Sequence, residues 1–138
     1  MKYVLILGVL LCIGCNSSEE KKRDTNTVPG WKHSYQAISK FGDTLYSKPP
    51  SEKIMAQYEA RKKAFEEQPD LENTIWYGRF TAYTGNYRGA IQIYTDGLEK
   101  FPDESRLLRH RGHRYITVRD FDKAIQDLEK AATLIQGK

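Results

Sequence analysis

The second half of the chain matches itself at a spacing of 34 residues. Gly78 and Gly112 stand at that spacing, as do Tyr87 and Phe121, Ala90 and Ala124, Ile91 and Ile125, Gln92 and Gln126, Tyr94 and Leu128, and Gly97 and Ala131. A period of this length marks one supersecondary unit repeated, each copy unable to bury its apolar face except against a neighbour. The matched residue types say how the unit packs. Gly78 and Gly112 let a second helix come close to the first, and Ala90 and Ala124 do the same from the other side. Tyr87, Tyr94, Phe121 and Leu128 fill the space between. Gly85-Asn86 supplies a turn in the first unit, replaced by Arg119-Asp120 in the second. Pro102 stops the first unit after Phe101, and Asp103 is placed to cap the next helix.

"WYGRFTAYTGNYRGAIQIYTDGLEKFP" followed by "HRGHRYITVRDFDKAIQDLEKAATLI" resembles the tetratricopeptide repeat (TPR), a pair of antiparallel helices. The resemblance implies an all-α fold, a TPR-type α-solenoid, with units at about 71–102 and 105–136 in a helical domain 51–138. Some positions depart from the family pattern. Thr74 and Leu108 stand where tryptophan is favoured, Tyr77 and Arg111 where leucine is usual, and Thr81 in place of a tyrosine. Arg111 is expected to lay its stem on the apolar surface with its guanidinium at the rim. Ahead of the repeats, Ser51 can cap a helix over 51–68, with Ile54, Met55, Tyr58, Arg61, Ala64 and Phe65 at helical steps. This helix reads as the second half of an earlier, eroded unit. The stretch is also similar to bacterial TPR lipoproteins, which continue into further helices. A terminal unit normally has a polar outer face, yet this one ends with Leu134 and Ile135 uncovered. The expectation is a truncated form, or self-association or a partner through the C-terminal helix.

"MKYVLILGVLLCIGC" opens with Lys2, runs apolar from Tyr3 to Ile13 and closes on Gly14-Cys15. The run falls short of the ~20 residues a bilayer span needs and has the length of a signal-peptide core. Its close resembles a bacterial lipobox, with Cys12 where leucine is usual. That implies a lipoprotein signal peptide at 1–14, lipidation of Cys15, and residence in the bacterial cell envelope on a membrane leaflet, facing the periplasm or the cell surface. Residues 15–50 read as a mostly irregular tether. Asn16 to Thr27 is polar without periodicity, and "WKHSYQAISKFGDTLYS" reads as an extended segment packed on the domain or a short helix broken at Gly42. Trp31 reads as a packing residue.

The formal net charge is +4, and the excess is local: Arg106, Arg109, Arg111, Arg114 and Arg119 fall between Ser105 and Arg119 without one carboxylate. In the family, the first helix of each unit lines a concave groove. Carried over, the groove positions are Ile75, Trp76, Arg79, Ala82 and Tyr83 in the first unit, and Arg109, His110, His113, Ile116 and Thr117 in the second. Trp76, Arg79, Tyr83, Arg109, His110 and His113 thus form a basic and aromatic surface suited to a peptide carrying carboxylates. The competing reading pairs these arginines with neighbouring acids such as Glu72, Asp120 or Asp127, leaving an inert charge-laced face.

Other chemistries fit poorly. His110 and His113 share a helix face, but no third ligand accompanies them and the flanking arginines repel a metal cation. No nucleophile and orienting acid stand near either histidine. Both cysteines lie in the apolar N-terminal run. No cofactor is expected, and export removes nucleic acid as a target. The sequence therefore points to a non-enzymatic, membrane-anchored scaffold that binds a protein. Its alternatives are an accessory lipoprotein binding acidic glycan or lipid headgroups, or the N-terminal part of a larger envelope protein.

Overall fold

The computed structural model describes residues 35–136. The expected lipoprotein signal at 1–14, the expected lipidation at Cys15, and Trp31 lie outside them. A β-hairpin of β1 (Tyr35–Ile38) and β2 (Thr44–Tyr46) leads into five helices. These are α1 (Glu52–Glu67), α2 (Leu71–Tyr83), α3 (Tyr87–Lys100), α4 (Ser105–Thr117) and α5 (Phe121–Gln136).

Helices α1 to α4 start where a side chain can satisfy their first free N–H groups. Ser51 Oγ accepts from Ile54 N (3.3 Å), Asp70 Oδ1 from Asn73 N (2.8 Å) and Asn86 Oδ1 from Gly89 N (2.9 Å). At α4 the cap is Glu104, whose carboxylate accepts from Arg106 N at 3.0 Å, and not the expected Asp103. Asp103 lies one residue too early and reaches Lys130 Nζ instead, at 3.1 Å.

Helices α2 and α3 form one pair, α4 and α5 the next, with α1 packed on α2. Ile75, Ala82, Ala90, Tyr94 and Leu107 make the core, flanked by Leu71, Tyr87, Leu98 and Phe101. Full burial of Leu107 alone contributes about 1.5–3 kcal/mol. The small residues act as the repeat implies. A Cβ on Gly78 would fall inside 3.0 Å of the Tyr94 ring, and one on Gly112 would sit 2.9 Å from Leu128 Cγ. Ala90, Ala124 and Ala131 are buried beside them.

The two inter-helix turns share one conformation. Gly85 has φ +87°, and Arg119, its counterpart in the next unit, has φ 67°. The left-handed region is open to glycine and strained for arginine. Both turns sit at the same end of the array.

That end carries the hairpin, where an irregular tether was expected. Ala37 pairs with Leu45 and Ile38 with Thr44. Of the two readings of this stretch, an extended segment packed on the domain or a short helix broken at Gly42, the extended one holds: Gly42 closes the turn at φ +90°, and Ser39 N donates to the Asp43 carbonyl at 2.8 Å. The hairpin is ordered by docking: Ala37, Ser47 and Pro50 are buried, and Gln36 Nε2 donates to the Thr117 carbonyl at 3.1 Å. Arg88 reaches back, its Nη2 donating to the Gln36 carbonyl (3.4 Å) and its guanidinium lying 5.2 Å from the Tyr35 ring centre.

Candidate functional site

The side chains expected to line a groove come from α2 and α4. On α2, Arg79 and Tyr83 are one turn apart, and Arg79 Nη2 donates to the Tyr83 hydroxyl at 3.3 Å. On α4, His110, His113 and Arg114 share a face by the same spacing rule. Between the two helices these five side chains enclose a pocket of about 180 Å³, with Tyr94 of α3 as its sixth lining residue. The Tyr94 ring stacks on His110 with centroids 5.8 Å apart. Gly78 makes this possible, since only a residue without a Cβ lets the Tyr94 ring lie against α2.

The electrostatics are one-sided. Glu72 and Glu104 pair with Arg106, Asp120 with Lys123, and Asp127 with Arg111. The acids that might have neutralised the groove are thus committed elsewhere. Among the described residues no carboxylate ion-pairs with Arg79, Arg109 or Arg114. His110 registers the result. Burial, then the charges of Arg109, Arg79, His113 and Arg114, hold its imidazolium down to about 4, so the ring is neutral at pH 7. Burial likewise pushes the Tyr94 phenol up, which keeps it protonated.

Of the expected groove residues, Arg79, Tyr83, His110 and His113 are brought together. Arg109 is exposed beside them. Trp76 lies off the pocket, with the guanidinium carbons of Arg79 and Arg61 at 4.5 and 4.9 Å from its ring centre. Ile75 and Ala82 are core residues and not groove residues, because they fall two turns apart on the stripe that packs with Ala90 and Tyr94. Ile116 is exposed, and Thr117 is tied to the hairpin through its carbonyl.

Arg111 needs a larger correction. Its guanidinium is not at the rim but grips Asp127 bidentately, Nε to Oδ2 at 2.7 Å and Nη2 to Oδ1 at 2.8 Å. Nη1 also donates to Thr95 Oγ1 at 3.1 Å. An apolar position of the repeat thus holds a largely buried ion pair joining α4, α5 and α3.

Sequence reasoning missed Arg114, Arg61 and the role of Tyr94 as pocket floor. A signal existed for Arg114: it stands four residues after His110, on the same helical face. Nothing in the spacing of α1 points to Arg61 stacking on Trp76.

A second pocket, of about 250 Å³, lies among α1, α2 and α3, lined by Phe65, Thr74, Tyr77, Ile93, Asp96, Gly97 and Lys100. It holds charges of both signs and lacks the bias of the first.

Comparison with known proteins agrees with this architecture. No family model matches the chain. Human tetratricopeptide repeat protein 12 is 43% identical over 47 residues, covering 34% of this chain and 7% of that protein. Among solved structures, MamA MSR-1 C2 superposes with a TM-score of 0.53 at 20% identity, covering 60% of this chain and 51% of that one. The chain thus spans about half of that structure and a small part of the human protein.

Proposed function

We propose that this protein is a non-enzymatic scaffold built on α2 to α5 as a tetratricopeptide-repeat array, a reading that the 34-residue period and the fold likeness support. It holds a partner protein in the groove between α2 and α4, through an acidic segment of that partner. The observation that carries this reading is the set of uncompensated cations, Arg79, Arg109 and Arg114, beside the aromatic rings of Trp76 and Tyr83. Arginine can meet a carboxylate with two parallel hydrogen bonds, and an unpaired arginine loses less by doing so than one already committed.

The resemblance of the first fifteen residues to a lipoprotein signal completes the proposal. Lipid on Cys15 holds the scaffold on an envelope membrane, and the exposed apolar stripe of α5 supports self-association.

Partner capture tests this reading. The chain from residue 16 and an Arg79→Ala, Arg109→Ala, His113→Ala variant of equal thermal stability would be compared as baits in an envelope extract. A partner protein retained only by the native bait is the expected result. Equal capture by both removes the groove from the mechanism. Retention of acidic glycan instead, lost steeply with salt and indifferent to Trp76→Ala, would establish the accessory-lipoprotein alternative.

A further inference from the structure

Within that groove, and resting on its being the ligand face, one compartment is shaped for a single charged group. We infer that the pocket of Arg79, Tyr83, Tyr94, His110, His113 and Arg114 is a subsite for a phosphoryl group, a tetrahedral oxyanion that enters between α2 and α4.

Size comes first. About 180 Å³ is small for a length of chain but admits a compact polar head. The donors converge from opposite sides, with Arg79 and Tyr83 on α2 and His110, His113 and Arg114 on α4. A tetrahedral group presents oxygens to both walls, whereas a planar carboxylate presents two oxygens in one plane.

Charge comes second. Arg79 and Arg114 are permanent cations, both only partly exposed, with no carboxylate among the described residues paired to either. A monoanion would leave one of them uncompensated. A phosphoryl ester carries about −1.5 to −2 at pH 7 and offers three strong acceptor oxygens, which matches two guanidinium groups.

The hydrogen-bonding capacity is the third argument. Arg79 spends one nitrogen on the Tyr83 hydroxyl, which fixes its fork at the pocket wall. His110 is oriented by the Tyr94 ring and makes no hydrogen bond to any described residue. It brings one neutral N–H without adding charge. The site is prearranged for an anion that the protein itself does not supply.

The test uses inorganic phosphate as the probe on the full chain at pH 7.5. The ring resonances of His110 and His113 would be followed by NMR, with acetate and chloride titrated at matched ionic strength. Saturable shifts of both rings with phosphate, at least tenfold tighter than with acetate, are expected. O-phosphoserine should then bind more tightly than free phosphate if the group is borne on a side chain, and no more tightly if the free ion is the ligand. Arg79→Gln and Arg114→Gln should each weaken phosphate tenfold or more, while Lys62→Gln on α1 leaves it unchanged. Absence of saturable shifts in the native chain, or equal shifts with acetate, overturns the inference whatever the variants do. Should phosphate fail while the triple variant still loses its captured partner, the phosphoryl subsite is wrong and the groove reading stands.

Discussion

At the scale of single residues, Arg111 and Asp127 show what position alone can hide. The repeat places Arg111 where an apolar side chain is usual, and the partner that makes it tolerable lies sixteen residues on, in another helix. Removing one member of a largely buried pair strands the other. Asp127→Ala should therefore cost about 3 kcal/mol, read from the urea midpoint of unfolding. Replacing both by leucine should return stability to within about 1 kcal/mol of the native chain. Arg119 carries a different strain. Its φ of 67° is the conformation that Gly85 supplies in the first unit, so Arg119→Gly should stabilise by about 0.5–1 kcal/mol in the same assay. His110 makes stability depend on pH. Burial and the neighbouring arginines hold it down to about 4 in the folded chain, from the ordinary imidazole value of 6.5. Between these limits the unfolded chain binds a proton that the folded chain refuses, so stability falls as pH drops from 6.5 towards 4. The loss is up to about 3 kcal/mol. Comparing denaturation curves of the native chain and His110→Gln at pH 7 and pH 4.5 should show a shallower decline in the variant.

At the scale of elements, the helices were legible because they rest on local rules and on the repeat. Ser51 announces one helix start and Gly85-Asn86 one turn, and Gly78 with Gly112 announces two close crossings; the caps at Asp70 and Asn86 came to light in the structure. The crossings are not equally tight. Gly78→Ala would drive a methyl into the ring of Tyr94, a side chain with almost no exposed surface. It should destabilise by about 1–3 kcal/mol despite the better helix propensity of alanine. Gly112→Ala meets Leu128, which is only partly buried and can turn aside, so thermal unfolding should show the smaller loss. The hairpin was only half legible, since an extended segment packed on the domain was one of two readings and the strand pairing was not foreseen. Four and three residues are too few for a period-two pattern to stand out, and its order depends on Gln36, Ala37 and Ser47 meeting helices that begin later in the chain.

At the scale of the whole molecule, the array leaves one flank open. Phe121, Ile125 and Ile135 on α5 are each about half exposed. Ile125→Glu should cost less than ~0.5 kcal/mol, the usual range for a surface substitution. Under the proposed self-association it should also abolish any rise of sedimentation coefficient with concentration. The candidate site was half legible at this scale. The family pattern located Arg79, His110 and His113, but whether an arginine is spent or free depends on every acid around it. Arg106 and Arg111 were spent on Glu72 and Asp127, while Arg79 and Arg114 were not. No spacing within one helix reports that.

The contacts of Gln36 have a mechanical meaning. Through its side chain it holds the end of α4, and through its carbonyl it is held by Arg88 at the start of α3. One residue outside the repeats therefore acts as a tie-rod across two of them. Any movement of α4 against α3, whose Tyr94 floors the pocket, must stretch that tie or release it. The tie lies on a strand, at the far end of α4 from where that helix begins.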